Sequence, residues 1–68
     1  MDQSKIIVDE TYIWLFSGNK YRVTVLELNG TGGSCRVDEV LKIKNPSDVL
    51  EVDRTYFFHY SSLLPFKS

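Results

Sequence analysis

Apolar and polar residues alternate with a period of two through the middle of this chain, which is the pattern of a strand with one buried face. Tyr21, Val23 and Val25 are separated by polar side chains over the stretch 21–28. The apolar positions change parity at Leu26, and a bulge or a sharp bend would cause such a change. The stretch therefore predicts a half-buried, bent strand.

A turn signal follows this strand. Asn29 to Ser34 holds three of the four glycines, and Asn-Gly is a preferred hairpin dipeptide. The next run, Cys35 to Ile43, alternates again, with Glu39 as an exception. A helical interpretation of that run also exists, but the run is short and lacks caps, which favours a strand. The two runs together predict a hairpin.

The rest of the chain divides into short segments separated by turn residues. Strands are predicted at Tyr12–Phe16, Val49–Val52 and Thr55–Tyr60, with a turn at Asn45–Asp48 and a 3₁₀ turn within Ser61–Pro65 before a last edge strand at Phe66. Five or six short strands predict an all-β domain, a small barrel or sandwich. Residues 1–68 form one domain, with residues 1–4 expected to fray.

Strand alternation also predicts which side chains lie in the core. Val23, Val25, Val37, Leu41 and Phe58 are the expected buried set. In the last long strand, alternation places Tyr56, Phe58 and Tyr60 on one face and Phe57 and His59 on the other.

The end of the chain resembles that of SH3-like barrels, including KOW-type modules. In these, a strand of the form Tyr56-Phe57 is followed by a short turn and a Leu-x-Pro-hydrophobic segment, here Leu63-Leu64-Pro65-Phe66. The resemblance covers about a dozen residues and implies a five- to six-stranded SH3-like barrel; it implies no activity.

Composition narrows the class of protein. The chain has 68 residues, 43% of them hydrophobic, a net charge of −1 and one cysteine. A single cysteine excludes an internal disulfide, and no stretch approaches the ~20 apolar residues that span a bilayer. The acidic residues near the N-terminus do not fit a signal peptide. We therefore expect a cytoplasmic protein without membrane contact.

The residues offer little catalytic or metal chemistry. His59 and Cys35 are the only histidine and the only cysteine. A nucleophile and its base need a third, orienting group, and a zinc site needs more ligands than these two. The glycine-rich turn lacks the Lys-Ser/Thr sequel of a phosphate-binding loop. We expect neither an enzyme nor a cofactor.

Two surface features remain. The outward positions of the central hairpin predict a basic stripe that could contact phosphates or an acidic surface; its members are Lys20, Arg22, Arg36, Lys42 and Lys44. The second feature is a surplus of aromatic residues, of which Trp14, Phe57 and His59 are the candidates for exposed contact residues.

Three functional interpretations follow. The first is a non-enzymatic module that binds another protein, an adaptor or a small inhibitor of a larger protein, similar in size and composition to small phage and mobile-element proteins. The second is a nucleic-acid-binding barrel that uses the basic stripe and stacking aromatics. The third is a homo-oligomer joined through strand edges.

Overall fold

Alternating segments of the chain pair into one antiparallel sheet in the computed structural model, which describes residues 3–66. Its strands are β1 (Thr11–Phe16), β2 (Asn19–Leu28), β3 (Gly32–Lys42), β4 (Thr55–His59) and β5 (Leu63–Pro65). Short 3₁₀ turns span Gln3–Lys5, Pro46–Asp48 and Tyr60–Ser62. The prediction of an all-β domain is confirmed, and the helical alternative for Cys35–Ile43 is wrong.

The strands lie in the order β4-β3-β2-β1-β5, so β4 and β5 are the two edges of an open sheet. The sequence predicted a barrel, and strand pairing does not close one. Over residues 3–66, no helix has the length and apolar character needed to cross a bilayer.

Two hairpins build the centre of the sheet. The turn between β1 and β2 places Ser17 at φ 53° and Gly18 at φ 84°, and two left-handed residues suit the twist of paired strands. The predicted hairpin between β2 and β3 is confirmed, and the Asn29 N–H donates to the Gly32 carbonyl at 2.8 Å.

Bulges interrupt the pairing of β2 with β3. Val25 lies opposite Cys35, whereas Glu27 lies opposite Ser34, so Leu26 is an extra residue. The irregularity that the parity change at Leu26 predicts is confirmed.

A second bulge corrects the predicted core. Val23 lies opposite Val37 and Arg22 lies opposite Glu39, which leaves Asp38 as the extra residue in β3. One extra residue shifts the alternation of the residues that follow it, here Glu39 and Val40. A further irregularity follows at once, because Tyr21 lies opposite Val40 and Lys20 lies opposite Lys42, which leaves Leu41 as an extra residue. Leu41, which the uninterrupted alternation places in the core, is 40% exposed, and that prediction is wrong.

The inner face of the sheet carries one hydrophobic core. Its buried members are Ile6, Tyr12, Trp14, Tyr21, Val23, Val25, Cys35, Val37, Phe58 and Leu63. The rings of Trp14 in β1 and Tyr56 in β4 have centroids 6.4 Å apart, although two strands separate β1 from β4. The sheet therefore curls strongly, and its curvature encloses the core.

The predicted strand at Val49–Val52 is wrong, because residues 43–54 form an irregular connection with one 3₁₀ turn. Side chains supply the hydrogen bonds that a strand partner would have supplied. The buried Asn19 accepts from the N–H groups of Lys44 and Asn45, both at 2.8 Å, and the Tyr21 hydroxyl accepts from the Leu50 N–H at 3.0 Å.

The C-terminal region follows the predicted sequence of elements with shifted bounds. The 3₁₀ turn is Tyr60–Ser62, and the edge strand is Leu63–Pro65 rather than a strand at Phe66. Fraying is expected of residues 1–4; of these, Gln3 and Ser4 lie in the 3₁₀ turn Gln3–Lys5, and residues 1 and 2 lie outside the described residues.

Candidate protein-binding surface

The candidate surface is centred on β4, where alternation separates two neighbouring phenylalanines. Phe58 points into the core and is 3% exposed, while Phe57 points outward and is 81% exposed. His59, two residues further along, is exposed with Phe57. The predicted facing of the last long strand is confirmed, and Phe57 is more exposed than any other large apolar side chain of residues 3–66.

Small residues lie opposite these two side chains in β3. Ser34 pairs with Phe57, and Gly32 pairs with His59. An open groove of about 210 Å³ results, bordered by Phe57 and His59 on one side and by the hairpin loop with Asn29 on the other. We call it the β4 groove.

Glycine is required at the base of the β4 groove. A Cβ atom at Gly32 would overlap the carbonyl oxygen of Phe58, and one at Gly33 would overlap that of Glu27. The sequence pattern alone indicates only a turn at these glycines. Their second role, close approach of neighbouring backbones, could have been suspected because Gly32 and Gly33 exceed what the Asn29-Gly30 turn needs.

The loop that borders the groove is held by its neighbours. Tyr60 donates from its hydroxyl to the Asn29 carbonyl, and its N–H donates to the Thr31 carbonyl at 3.3 Å. The loop and the end of β4 are therefore joined through both backbone and side chain.

In the sheet that residues 3–66 form, β4 has a neighbouring strand on one side only. In an antiparallel ladder, every second residue directs its N–H and C=O toward a given neighbour. Tyr60 bonds to the β3 side, so Phe58 and Tyr56 share that direction. Phe57 and His59 consequently direct their backbone groups away from β3, at the edge of the sheet.

Trp14 does not belong to this surface. It is 2% exposed, and its ring lies 5.0 Å from that of Phe16 and 6.0 Å from that of Tyr21, measured between centroids. It shares the inner face of the sheet with Tyr12. The expectation that Trp14 is an exposed contact residue is therefore wrong, because the apolar run of β1 hid which of its faces is buried.

The predicted basic stripe is partly neutralised. Arg22 pairs with Glu39 at 3.6 Å, and Arg36 donates from Nε to Asp38 at 2.9 Å. The hydrogen bond and the charge of Asp38 raise the pKa of Arg36. Arginines at the centre of the stripe thus have acidic neighbours that the strand alternation did not reveal.

Asp38 contributes most to neutralising the charges of the two arginines. Its partial burial would raise the pKa, but hydrogen bonds from Thr24 and Arg36, with the charges of Arg36 and Arg22, lower it overall. The Thr24 hydroxyl lies 2.5 Å from the Asp38 carboxylate. The bulge places this carboxylate between the two arginines.

The three lysines of the stripe are exposed, and no carboxylate of residues 3–66 lies within ion-pair distance of them. Lys20 lies opposite Lys42 across β2 and β3, and Lys44 follows the end of β3. The five predicted cations therefore do not form one continuous positive surface, although two lysines stand side by side.

The cysteine and the histidine do not form a catalytic pair. Cys35 is fully buried on the inner face, where desolvation, with a smaller effect of the Asp38 charge, raises the pKa of its thiol to about 12. His59 is on the outer face. Within residues 3–66, no three His, Cys, Asp or Glu side chains are placed to hold a metal ion.

Comparison of the chain with family models, with curated proteins and with solved structures finds no match. The β4 groove and the sheet edge beside it are therefore the features of the molecule from which a function can be inferred.

Proposed function

We propose that this chain is a non-enzymatic module that binds another protein through the β4 groove. The observation that carries the proposal is Phe57, an 81% exposed ring at the middle of an unpaired edge strand. Interfaces derive most of their binding energy from a few anchors of this kind, among which aromatic residues are frequent.

The surroundings of Phe57 suit an anchor. Ser34 and Gly32 leave room beside the ring and beside His59, so a partner side chain can pack against the ring and reach the β3 backbone. Polar groups of the loop, at Asn29 and Thr31, would lie at the periphery of the contact, as in the polar margin of most interfaces.

We also propose that the sheet has an SH3-like arrangement. A 3₁₀ turn between β4 and β5, and the return of β5 to pair with β1, support an SH3-like arrangement. The ending Leu63–Phe66 supports it as well. Such a module acts as an adaptor or as a small inhibitor of a larger protein, in the manner of small phage proteins.

A reducing, cytoplasmic environment fits the same proposal. The one cysteine, Cys35, is a buried thiol, and a domain without disulfides needs no oxidising compartment.

Nucleic-acid binding is the second candidate, favoured by the neighbouring Lys20 and Lys42. The pairing of Arg22 with Glu39 and of Arg36 with Asp38 weakens it, because affinity for nucleic acid depends on cations that are available to phosphates. The protein-binding proposal therefore ranks first.

The test starts with affinity capture of partners from a native lysate, identification by mass spectrometry, and calorimetry with the purified partner. We expect Phe57→Ala to weaken binding by at least about 1 kcal/mol, which is the loss that marks an interface anchor. Phe66→Ala is the matched control, since Phe66 is an exposed ring beyond β5, at the opposite edge. It should bind like the parent.

Charge reversal separates the two candidates. Lys42→Glu with Lys44→Glu should change mainly the association rate with a protein partner. Two results together would overturn the protein-binding proposal in favour of the nucleic-acid candidate. The first is that the charge-reversal variant loses binding to oligonucleotides that the parent binds in low salt. The second is that Phe57→Ala leaves every captured protein interaction unchanged.

A further inference from the structure

The two edges of the sheet differ in how they are protected against pairing. Natural edge strands avoid association by being short or by carrying proline or charged residues. β5 has three residues and includes Pro65. β4 has five residues, Thr55 to His59, with no proline, glycine, lysine or acidic residue among them. β4 is therefore an edge on which another strand can be added.

The unpaired groups of β4 are regularly spaced. Thr55 has the same parity as Phe57 and His59, so all three direct an N–H away from β3. Thr55 and Phe57 also offer a C=O at this edge, whereas the His59 carbonyl, at the N-cap of the turn Tyr60–Ser62, accepts the first hydrogen bond of that turn. Phe57 is the central residue of the strand.

We propose that the occupant of this edge is a second copy of the chain, paired antiparallel through β4 about a two-fold axis at Phe57. Phe57 then lies opposite Phe57 of the second copy, and Thr55 lies opposite His59. The inference rests on the proposed function, because it assigns an occupant to the same edge.

Symmetry favours this register over others. With the axis at Phe57, all three outward residues of each copy meet an outward residue of the other, as a two-fold interface requires. If the two-fold axis passed through Tyr56 instead, Thr55 would still lie opposite Phe57 of the second copy. His59, however, would have no outward residue of β4 opposite it. The central register is the one that places every outward residue of β4 opposite another outward residue.

The side chains of the central register are compatible with one another. The two Phe57 rings lie side by side on the outer face, with Cα atoms about 5.5 Å apart as in any hydrogen-bonded antiparallel pair. Beyond the strand, Arg54 falls opposite Tyr60 and Asp53 falls opposite Ser61. No two like charges oppose each other, and directly opposed like charges would destabilise the pair.

The expected complex is weak. A five-residue edge with one ring from each copy buries well under the ~1,200 Å² typical of stable complexes. We therefore expect a monomer–dimer equilibrium that depends on concentration, and we expect the dimer to occupy the surface that a foreign partner would use.

Sedimentation velocity over a concentration series tests the association. The parent chain should shift from monomer toward dimer as concentration rises. Phe57→Lys should weaken dimerisation at least about tenfold, because it removes the ring pair and opposes two like charges. Leu64→Lys, on the exposed side of β5, is the matched control and should dimerise like the parent.

Disulfide cross-linking tests the register. Two preparations, Thr55→Cys and His59→Cys, are oxidised separately and as a mixture, with mass tags that identify each chain. Only the mixture should give a cross-linked dimer in high yield, because Thr55 faces His59. In either single preparation the two introduced thiols are offset by four residues, roughly 13 Å along the strand. The native Cys35 is buried and its thiol pKa is about 12, so the parent should not cross-link.

Two outcomes overturn the inference. One is a monomer at all concentrations, and the other is a dimer that Phe57→Lys leaves unchanged or that cross-links equally well in the single preparations. Either outcome leaves the calorimetric effect of Phe57→Ala on a captured foreign partner as the separate test of the proposed function.

Discussion

At the scale of single residues, two neighbours of the same type have opposite roles. Phe58 fills the core beside Tyr60, with ring centroids 6.1 Å apart, whereas Phe57 faces outward from the same strand. The difference arises only from strand alternation, since neighbouring residues point to opposite faces. Phe58 therefore contributes to the stability of the fold, while its neighbour Phe57 is exposed for binding.

We predict that Phe58→Ala costs about 3–5 kcal/mol of unfolding free energy, which is the usual cost of truncating a buried ring. A domain of this size has a stability on the order of 5 kcal/mol, so the variant should be largely unfolded at 37 °C. Phe57→Ala should stay within about 0.5 kcal/mol of the parent in urea titrations. Equal losses for the two variants would contradict the assigned facing of β4.

At the scale of elements, the bulge at Asp38 has the largest consequences. It reverses the facing of Glu39 and Val40, and it brings a carboxylate within reach of Thr24 and Arg36. A backbone irregularity thus determines which charges lie close together on the outer face.

The lowered pKa of Asp38 predicts a pH-dependent contribution to stability. The contribution is present above the ordinary aspartate pKa of about 3.9 and is lost as the pH falls through the lower pKa of the folded state. Asp38→Asn should therefore cost about 1 kcal/mol at pH 7 and less at an acid pH below the ordinary aspartate pKa. Urea titrations at both pH values measure this, with Glu39→Gln as the control for loss of one carboxylate. A cost that is the same at both pH values would exclude the carboxylate as its source.

Strands β1 to β4 and the central hairpin were predictable because each depends on local alternation and turn chemistry. The facing of Phe57 and His59 followed from the same local rule. The position of Leu41 was not predictable, since the irregularities at Asp38 and at Leu41 itself are fixed by pairing with β2, which alternation within one strand does not record. Trp14 was ambiguous for a related reason: every residue from Tyr12 to Phe16 is apolar, so the buried face depends on the neighbouring strands.

At the scale of the whole molecule, one core unites all the strands. Buried residues come from β1 to β5 and from Ile6 before them, and the curled sheet brings Trp14 and Tyr56 together. No part of the sheet described here has a second core of its own, so we expect it to unfold as one unit.

Trp14 is the only tryptophan of the chain and it is buried, which makes its fluorescence a probe of this unit. In urea, the transition seen by tryptophan emission should coincide with the transition seen by far-ultraviolet circular dichroism. An emission change at clearly lower urea than the loss of strand signal would show that β1 leaves the core before the rest. That result would contradict a single cooperative core.

Pro65 has a consequence for how large an assembly can grow. A chain with two competent edges would add copies at both ends and polymerise without limit, as the cross-β fibrils of aggregating proteins do. Here the second edge is three residues long and carries a residue that cannot donate a backbone hydrogen bond. Sheet extension that begins at β4 would therefore terminate after one addition, so that growth is confined to a closed pair instead of a fibre.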